Sequence, residues 1–105
     1  MMKDVEKEYG VSISVETIQR VESIPTPEDS PLVTALSRAV KDEYNVNPRP
    51  VGIGGGTVGA FLRNVGVHTA VWSKIDETAH QPNEYCKLEN LIGDARVMAK
   101  LMMTM

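Results

Sequence analysis

After residue 30, helical periodicity alternates with short apolar runs, and this alternation limits the possible folds more than any other feature. Ser30 and Pro31, a preferred N-cap and a preferred first helical residue, open the first helical pattern. Three helical patterns and two apolar runs follow one another in the order 31–44, 51–53, 58–64, 67–72 and 88–103. Helix, strand, helix, strand, helix is the order expected of an α/β fold.

Two of the predicted helices have an apolar face that should point inward. On the first helix this face consists of Leu32, Leu36, Ala39 and Val40. On the last helix it consists of Leu88, Leu91, Ile92, Ala95, Met98, Ala99 and Met102. The run 67–72 is apolar almost throughout, which is typical of a strand covered on both faces. We therefore expect Trp72, at the end of this run, to lie in the core.

The first 24 residues follow a different pattern and predict a separate unit. Residues 3–9 are mostly charged and suit the exposed end of a helix, which Gly10 terminates. An alternation of apolar and polar residues then predicts a half-buried strand over about 11–23. The polar, proline-containing connector 25–29 is a candidate domain boundary.

Charge and composition exclude several classes of function. The net charge is −3 and no run of Lys or Arg occurs, which argues against nucleic acid as the main partner. No stretch approaches the roughly 20 apolar residues of a membrane span, and the charged N-terminus is not a signal peptide. Cys86 is the only cysteine, which excludes an intrachain disulfide and fits a reducing cytoplasm. Because a domain of this size has a small core, we expect another chain or segment to cover some apolar surface.

The glycine-rich loop at residues 54–57 is the first candidate site. Gly54, Gly55 and Gly56 lie between a predicted strand and a predicted helix, where a ligand can approach the backbone closely. The N–H groups at the start of that helix would suit a carboxylate or a phosphate. Thr57 completes the loop, and no Gly-Lys-Ser/Thr follows, so the loop is not a nucleotide-binding P-loop. A tight turn between strand and helix explains the same residues equally well.

His80 is the second candidate. A histidine and a glutamate four residues apart, here His80 and Glu84, can bind a metal from one face of a helix. Pro82 lies between them and disrupts a helix, so we predict a loop that presents His80. Asp76 and Glu77 are near enough in sequence to tune this histidine. Spacing alone favours an exposed loop histidine over a metal ligand.

The potential metal ligands are too few for a complete zinc site. A closed site needs about four ligands, whereas the chain contains 2 His and 1 Cys. His68 lies in the predicted strand 67–72 and is expected to be a packed or hydrogen-bonded structural residue. Neither His-x-Asp nor adjacent Glu-Glu occurs in the sequence. We therefore do not expect a complete catalytic zinc centre in this chain.

Five pieces of residues 50–103, taken in order, form a more specific pattern than any one of them alone. They are Gly55 to Thr57, Phe61 to Val67, Thr69 to Trp72, Ala79 to Tyr85 and Leu88 to Ile92. In this order they closely resemble the end of a family of zinc-dependent peptidases and amidohydrolases. That family contains aminoacylase, acetylornithine deacetylase, carboxypeptidase G and succinyl-diaminopimelate desuccinylase.

The resemblance implies a fold class and a division into domains. The chain would be the C-terminal part of a zinc-peptidase α/β sandwich, preceded by one helix end and strand of an inserted lid domain. Residues 1–24 would end that lid and dimerisation domain, and residues 25–105 would be the C-terminal portion of the catalytic domain. By the same resemblance, the chain lacks the N-terminal portion that holds the other metal ligands and the glutamate general base.

The resemblance also implies roles for the two candidate sites. His80 matches the last metal ligand of the family, with Glu84 or a nearby carbonyl orienting its ring. Gly54, Gly55, Gly56 and Thr57 match the segment that contacts the carboxylate side of the substrate. The implied cofactor is a pair of zinc ions, or cobalt in their place. No catalytic residue is expected within this fragment.

The implied function is that of a fragment of a metal-dependent hydrolase, inactive alone, that cleaves the amide bond of N-acyl amino acids or small peptides. A desuccinylase-like activity is the first expectation and a deacetylase activity the second, in the cytoplasm. The expected partners are the missing N-terminal portion of the catalytic domain and a second copy in a homodimer, with neither nucleic acid nor membrane involved.

Substrate specificity does not transfer from the family, because two positions depart from its pattern. Many members have Asp directly after Gly-Gly-Thr and Arg two positions later, where this chain has Val58 and Ala60. An arginine would bind a carboxylate in a bidentate manner, and alanine does not. The alternative from another class is a non-catalytic anion-binding or assembly module, in which strand 11–23 pairs with the edge of a partner.

Overall fold

The computed structural model describes residues 1–20, 22–53 and 56–104, and four helices form in these ranges. They are α1 (Met2–Tyr9), α2 (Pro31–Tyr44), α3 (Val58–Asn64) and α4 (Leu88–Thr104). Each helix lies where the sequence predicts it, with ends that differ by no more than one residue. Within the described ranges, no helix combines the length and the apolar character that crossing a bilayer requires.

Local sequence signals explain the ends of α1 and α2. The Ser30 side chain accepts a hydrogen bond from the Val33 N–H at 3.3 Å, which satisfies one of the open donors at the start of α2. Asn45 ends α2 in the left-handed conformation with φ 52°, and Gly10 ends α1 with φ 64°. In both cases the N–H of this capping residue donates to the carbonyl four residues earlier. Such left-handed caps are common at helix C-termini.

The core lies between α2 and α4, the one pair of helices that pack together within the described residues. Its buried apolar residues are Leu36, Ala39 and Val40 of α2 and Val97 of α4. Tyr44, Ala70, Trp72 and Leu101 pack against this cluster. The predicted inward face of α2 is confirmed, with Leu32 half-buried at its start, and so is the prediction that Trp72 contributes to the core.

The predicted inward face of α4 is wrong. The buried residues of α4 are Asn90, Gly93 and Val97. Gly93 determines this orientation, because a Cβ at this position would contact the Tyr44 hydroxyl and lie 2.7 Å from Tyr44 Cζ. The absence of a side chain at Gly93 therefore lets the tyrosine ring lie directly against α4. The larger apolar side chains stay exposed on the other side, namely Leu88, Leu91, Ile92, Met98 and Met102.

None of the segments predicted as strands, 11–23, 51–53 and 67–72, is a strand in the residues that the structure describes. A strand forms only when its backbone hydrogen-bonds to a neighbouring strand. The connector lies beside 67–72 but is joined to it through a side chain. The Thr26 hydroxyl accepts from the Thr69 N–H at 2.9 Å and donates to the Thr69 carbonyl at 2.8 Å. The predicted α/β sandwich is therefore not formed by the described residues.

The chain buries less surface than a compact domain of its size. Its radius of gyration is 19.4 Å, whereas a compact domain of about 100 residues has a radius of about 13 Å. Its accessible surface is 8937 Å², whereas a folded monomer of this mass has roughly 5800 Å². Large apolar side chains contribute to the excess, among them Ile18 at 94% exposure and Val51 at 76%. By both measures, much apolar surface of this chain is open to solvent in the structure.

Candidate functional site

Residues 76–87 form a loop that is closed by its own contacts immediately before α4. At the base of the loop, Lys87 Nζ lies 3.0 Å from Asp76 Oδ2. Two residues further from the base on each arm of the loop, the Thr78 hydroxyl donates to the Tyr85 carbonyl at 3.4 Å. These two contacts hold the two arms of the loop together.

The ion pair at the base of this loop shifts the pKa values of its members. The hydrogen bond from Lys87, assisted by one from Tyr85, holds the pKa of Asp76 below its ordinary value. The same contacts raise the pKa of Lys87 and the pKa of Tyr85. Because the folded chain favours ionised Asp76, the ion pair stabilises the fold at pH values above the ordinary aspartate pKa. This stabilisation is lost as the pH falls through the lowered pKa of Asp76.

His80 lies at the turn of the loop, exposed to solvent and with a left-handed backbone at φ 62°. This conformation is uncommon for a residue that has a side chain. The His80 N–H donates to Glu84 Oε2 at 3.1 Å. The prediction of a loop that presents His80 is confirmed. We expected Glu84 or a nearby carbonyl to orient the ring, and the observed contact of the Glu84 carboxylate is with the main chain of His80.

The structure describes only part of the glycine-rich loop. Gly54 and Gly55 lie outside the described residues. Gly56 is exposed, and Thr57 is the N-cap residue of α3, with no hydrogen bond from its side chain to the helix. Within the described residues, no hydrogen bond, ion pair or shared cavity joins Gly56 or Thr57 to His80. The two candidate sites are therefore not in contact in this part of the chain.

The donor groups of the described residues fit one ligand position and not a whole metal site. No three His, Cys, Asp or Glu side chains among them come together as a group that could hold a metal ion. His80 fits a single position, because an exposed imidazole on a closed loop is accessible to an ion. His68, which was expected to be packed or hydrogen-bonded, is exposed and has no side-chain hydrogen bond in the described ranges. Its predicted structural role is wrong.

Sequence reasoning missed Asp94, which anchors the segment that leads into the loop. The Ser73 hydroxyl donates to Asp94 Oδ2 at 2.8 Å, and the Lys74 N–H donates to the same oxygen at 3.1 Å. The Tyr44 hydroxyl donates to Asp94 Oδ1 at 2.9 Å. One carboxylate on α4 therefore joins α2 to the chain just before the loop. An acidic residue next to Gly93 was the available signal, but its partners lie about 20 and 50 positions away in sequence.

We expect Tyr44 to ionise at a higher pH than an ordinary tyrosine. Burial, followed by the hydrogen bond to Asp94, raises the pKa of Tyr44 to about 12. Because the folded chain favours the neutral phenol, the contacts of Tyr44 contribute their full stabilisation below a pH of about 10. It is lost as the pH rises through about 12. Ultraviolet titration of the phenolate band in a chain with Tyr9→Phe and Tyr85→Phe would isolate this transition.

The carboxylate of Asp94 provides the matched comparison. Asp94→Asn should lower the pKa of Tyr44, because it removes the charge and weakens the hydrogen bond. Glu89→Gln, on an exposed turn of the same helix, should leave the pKa of Tyr44 unchanged. An unchanged Tyr44 pKa in Asp94→Asn would contradict the assigned contact.

Comparison with known proteins places these features in a family. The model of peptidase family M20/M25/M40 matches residues 4–104, which include the loop with His80. An uncharacterized metallohydrolase of Methanococcus maripaludis is 46% identical over 94 residues, covering 90% of this chain and 23% of that protein. An uncharacterized metallohydrolase of Methanocaldococcus jannaschii is 38% identical over 100 residues, covering 91% of this chain and 24% of that protein.

A more distant similarity is to a named enzyme. The succinyl-diaminopimelate desuccinylase of Nautilia profundicola is 31% identical over 74 residues, covering 70% of this chain and 20% of that enzyme. No solved structure matches the chain. The chain thus spans about a quarter or less of the length of these curated relatives.

Proposed function

This chain belongs to peptidase family M20/M25/M40, and from that membership we propose that it is the C-terminal portion of the catalytic domain of a metal-dependent amide hydrolase. The observation that carries the proposal is the family match over residues 4–104. Relatives named metallohydrolases support a hydrolase that uses a metal. The similarity to a desuccinylase supports N-acyl amino acids as the substrate class, with desuccinylase-like activity as the first assignment.

In this proposal His80 supplies one ligand to a site of two zinc ions. Its imidazole is exposed, and its main-chain N–H is hydrogen-bonded to Glu84 within the closed loop. Zinc, when bound, polarises the amide carbonyl and makes water a stronger nucleophile. This chain would supply the imidazole of His80 as a ligand, from a loop whose base is closed by Asp76 and Lys87.

The glycine-rich loop would bind the carboxylate side of the substrate. Thr57 is the N-cap residue of α3, at the helix end where backbone N–H groups lack partners within the helix. Such groups suit a carboxylate, and Gly54, Gly55 and Gly56 would allow a close approach. This assignment rests on the resemblance and on the position of the loop before α3.

The remaining catalytic portion of the protein would complete the fold. Residues 1–24 would end the inserted lid domain, residues 25–105 would close the catalytic domain, and a second copy would form a homodimer. The exposed apolar side of α4 and the low burial of the chain support a covering polypeptide. Partner strands from that polypeptide would allow the segments 51–53 and 67–72 to become strands of an α/β sandwich.

The isolated chain is expected to hydrolyse neither N-succinyl nor N-acetyl amino acids. It lacks a group of at least three potential metal ligands in its described residues, and a catalytic zinc needs about three protein ligands. Amine release from both substrates by rigorously purified chain, with and without added zinc, measures this. Zinc-dependent turnover that co-purifies with the chain would contradict the expectation.

A chimera tests the proposed function itself. This chain would replace the matching 94-residue segment of the Methanococcus maripaludis metallohydrolase, to which it is 46% identical. We expect the chimera to bind zinc and to hydrolyse N-acyl amino acids. The unmodified relative, assayed in parallel, is the positive control. If the relative hydrolyses these substrates and a folded chimera with bound metal does not, the proposal is wrong for this chain.

A further inference from the structure

The turn around His80 is held by hydrogen bonds between main-chain groups. His80 and Asn83 both have φ of 62°, a left-handed conformation. The Glu84 N–H donates to the Gln81 carbonyl at 3.2 Å, and the Gln81 N–H donates to the Thr78 carbonyl at 3.1 Å. These contacts place Glu84 opposite His80 across the turn.

The Glu84 carboxylate uses that position to contact the backbone of His80. Oε2 accepts the His80 N–H at 3.1 Å, a hydrogen bond to a charged acceptor. A charged acceptor strengthens a hydrogen bond relative to one between neutral groups. A left-handed backbone is uncommon for residues other than glycine, although histidine adopts it more often than most, and the carboxylate contact favours it at His80.

We propose that Glu84 is a positioning residue for His80, which fixes the backbone from which the imidazole projects. The inference rests on the proposed function, in which His80 is a metal ligand, and adds a residue that acts on it. Glu84 acts through the main chain of His80, whereas a metal ligand is usually held by a partner on its second ring nitrogen. Loss of this contact should leave the core intact, because both residues are exposed.

The test uses three variants of the ¹⁵N-labelled chain and the amide of His80 as its probe. Glu84→Ala removes the acceptor, and Glu84→Gln keeps a side-chain oxygen that can accept the same hydrogen bond. Glu77→Ala removes a negative charge from the same loop and serves as the matched control, because the hydrogen bond of Glu77 within the loop uses its main-chain carbonyl. Hydrogen exchange of the His80 amide and its coupling to Hα report the hydrogen bond and φ, respectively.

In Glu84→Ala, we expect the hydrogen-exchange rate of the His80 amide to be at least about tenfold higher than in the wild-type chain. Loss of a hydrogen bond to a charged group predicts a change of this size. The coupling constant of this amide should also move away from the left-handed value. Glu84→Gln should largely restore both measurements, and Glu77→Ala should change neither. The amide of Val97, which is fully buried in the core, should keep its wild-type exchange rate in every variant.

Several results would overturn the inference. These are an unchanged His80 amide in Glu84→Ala, a Glu84→Gln chain that behaves like Glu84→Ala, and faster exchange of Val97 along with His80. The zinc content of His80→Ala in the chimera tests the proposed function separately. Failure of the metal role and failure of the Glu84 contact are therefore distinguishable.

Discussion

Alanine in place of His80 should remove one zinc ion from the chimera and lower its turnover by at least about a thousandfold. A catalytic metal contributes several kcal/mol of transition-state stabilisation, and each 1.36 kcal/mol corresponds to a factor of ten in rate. The fold should persist, because His80 is exposed and the core lies between α2 and α4. Metal analysis, steady-state rates and a thermal melt of the same preparation measure all three quantities.

His68→Ala is the matched control for that substitution. Both histidines are exposed in the isolated chain, so neither replacement should change the stability of that chain by more than roughly 0.5 kcal/mol. The His68 variant should keep both zinc ions and normal rates, since His68 has no counterpart among the residues proposed to bind metal. If His80→Ala retained both ions and full activity, His80 would be an ordinary loop histidine.

Among the glycines that the structure describes, Gly93 is the one where replacement by alanine should cost the most stability. The added Cβ would contact the Tyr44 hydroxyl and lie 2.7 Å from Cζ and 3.0 Å from Cε1. Overpacking of this kind typically costs about 1–3 kcal/mol. Alanine favours a helix over glycine by about 1 kcal/mol, so the measured loss understates the steric conflict. Urea and thermal unfolding of the isolated chain measure the change in the free energy of unfolding.

Two comparisons isolate the contact between Gly93 and Tyr44. Gly52→Ala adds the same methyl group where nothing lies within 4 Å, and should leave stability nearly unchanged. Tyr44→Ala alone should destabilise, but in the double variant Gly93→Ala should cost little more, because the clashing ring is absent. Additive losses in the double variant would show that the ring is not the cause.

The sequence by itself determined where the helices begin and end. Ser30, Gly10 and Asn45 each act on backbone groups within four residues, so their effects do not depend on the rest of the fold. The loop that presents His80 was equally predictable, because Pro82 excludes a helix wherever the segment lies. The inward face of α2 followed from periodicity, since its apolar residues occupy a single face.

Only the tertiary structure decided which face of α4 is buried. This helix has apolar residues on more than one side, and periodicity selected the side with the larger ones. The buried side is the one where Gly93 leaves room for the Tyr44 ring, and this fit depends on a residue about 50 positions away. Asp94 was unpredictable for the same reason, because its partners come from α2 and from the segment before the loop.

Helices and strands differ in where their backbone groups find hydrogen-bond partners. A helix satisfies its backbone hydrogen bonds within its own segment, so a local pattern is enough to specify it. A strand satisfies them only through a neighbour, so the patterns at 11–23 and 67–72 specify a tendency and not a structure. In the described residues Thr69 is bound by the Thr26 hydroxyl and not by a paired backbone. Whether these segments become strands therefore depends on polypeptide that packs beside them.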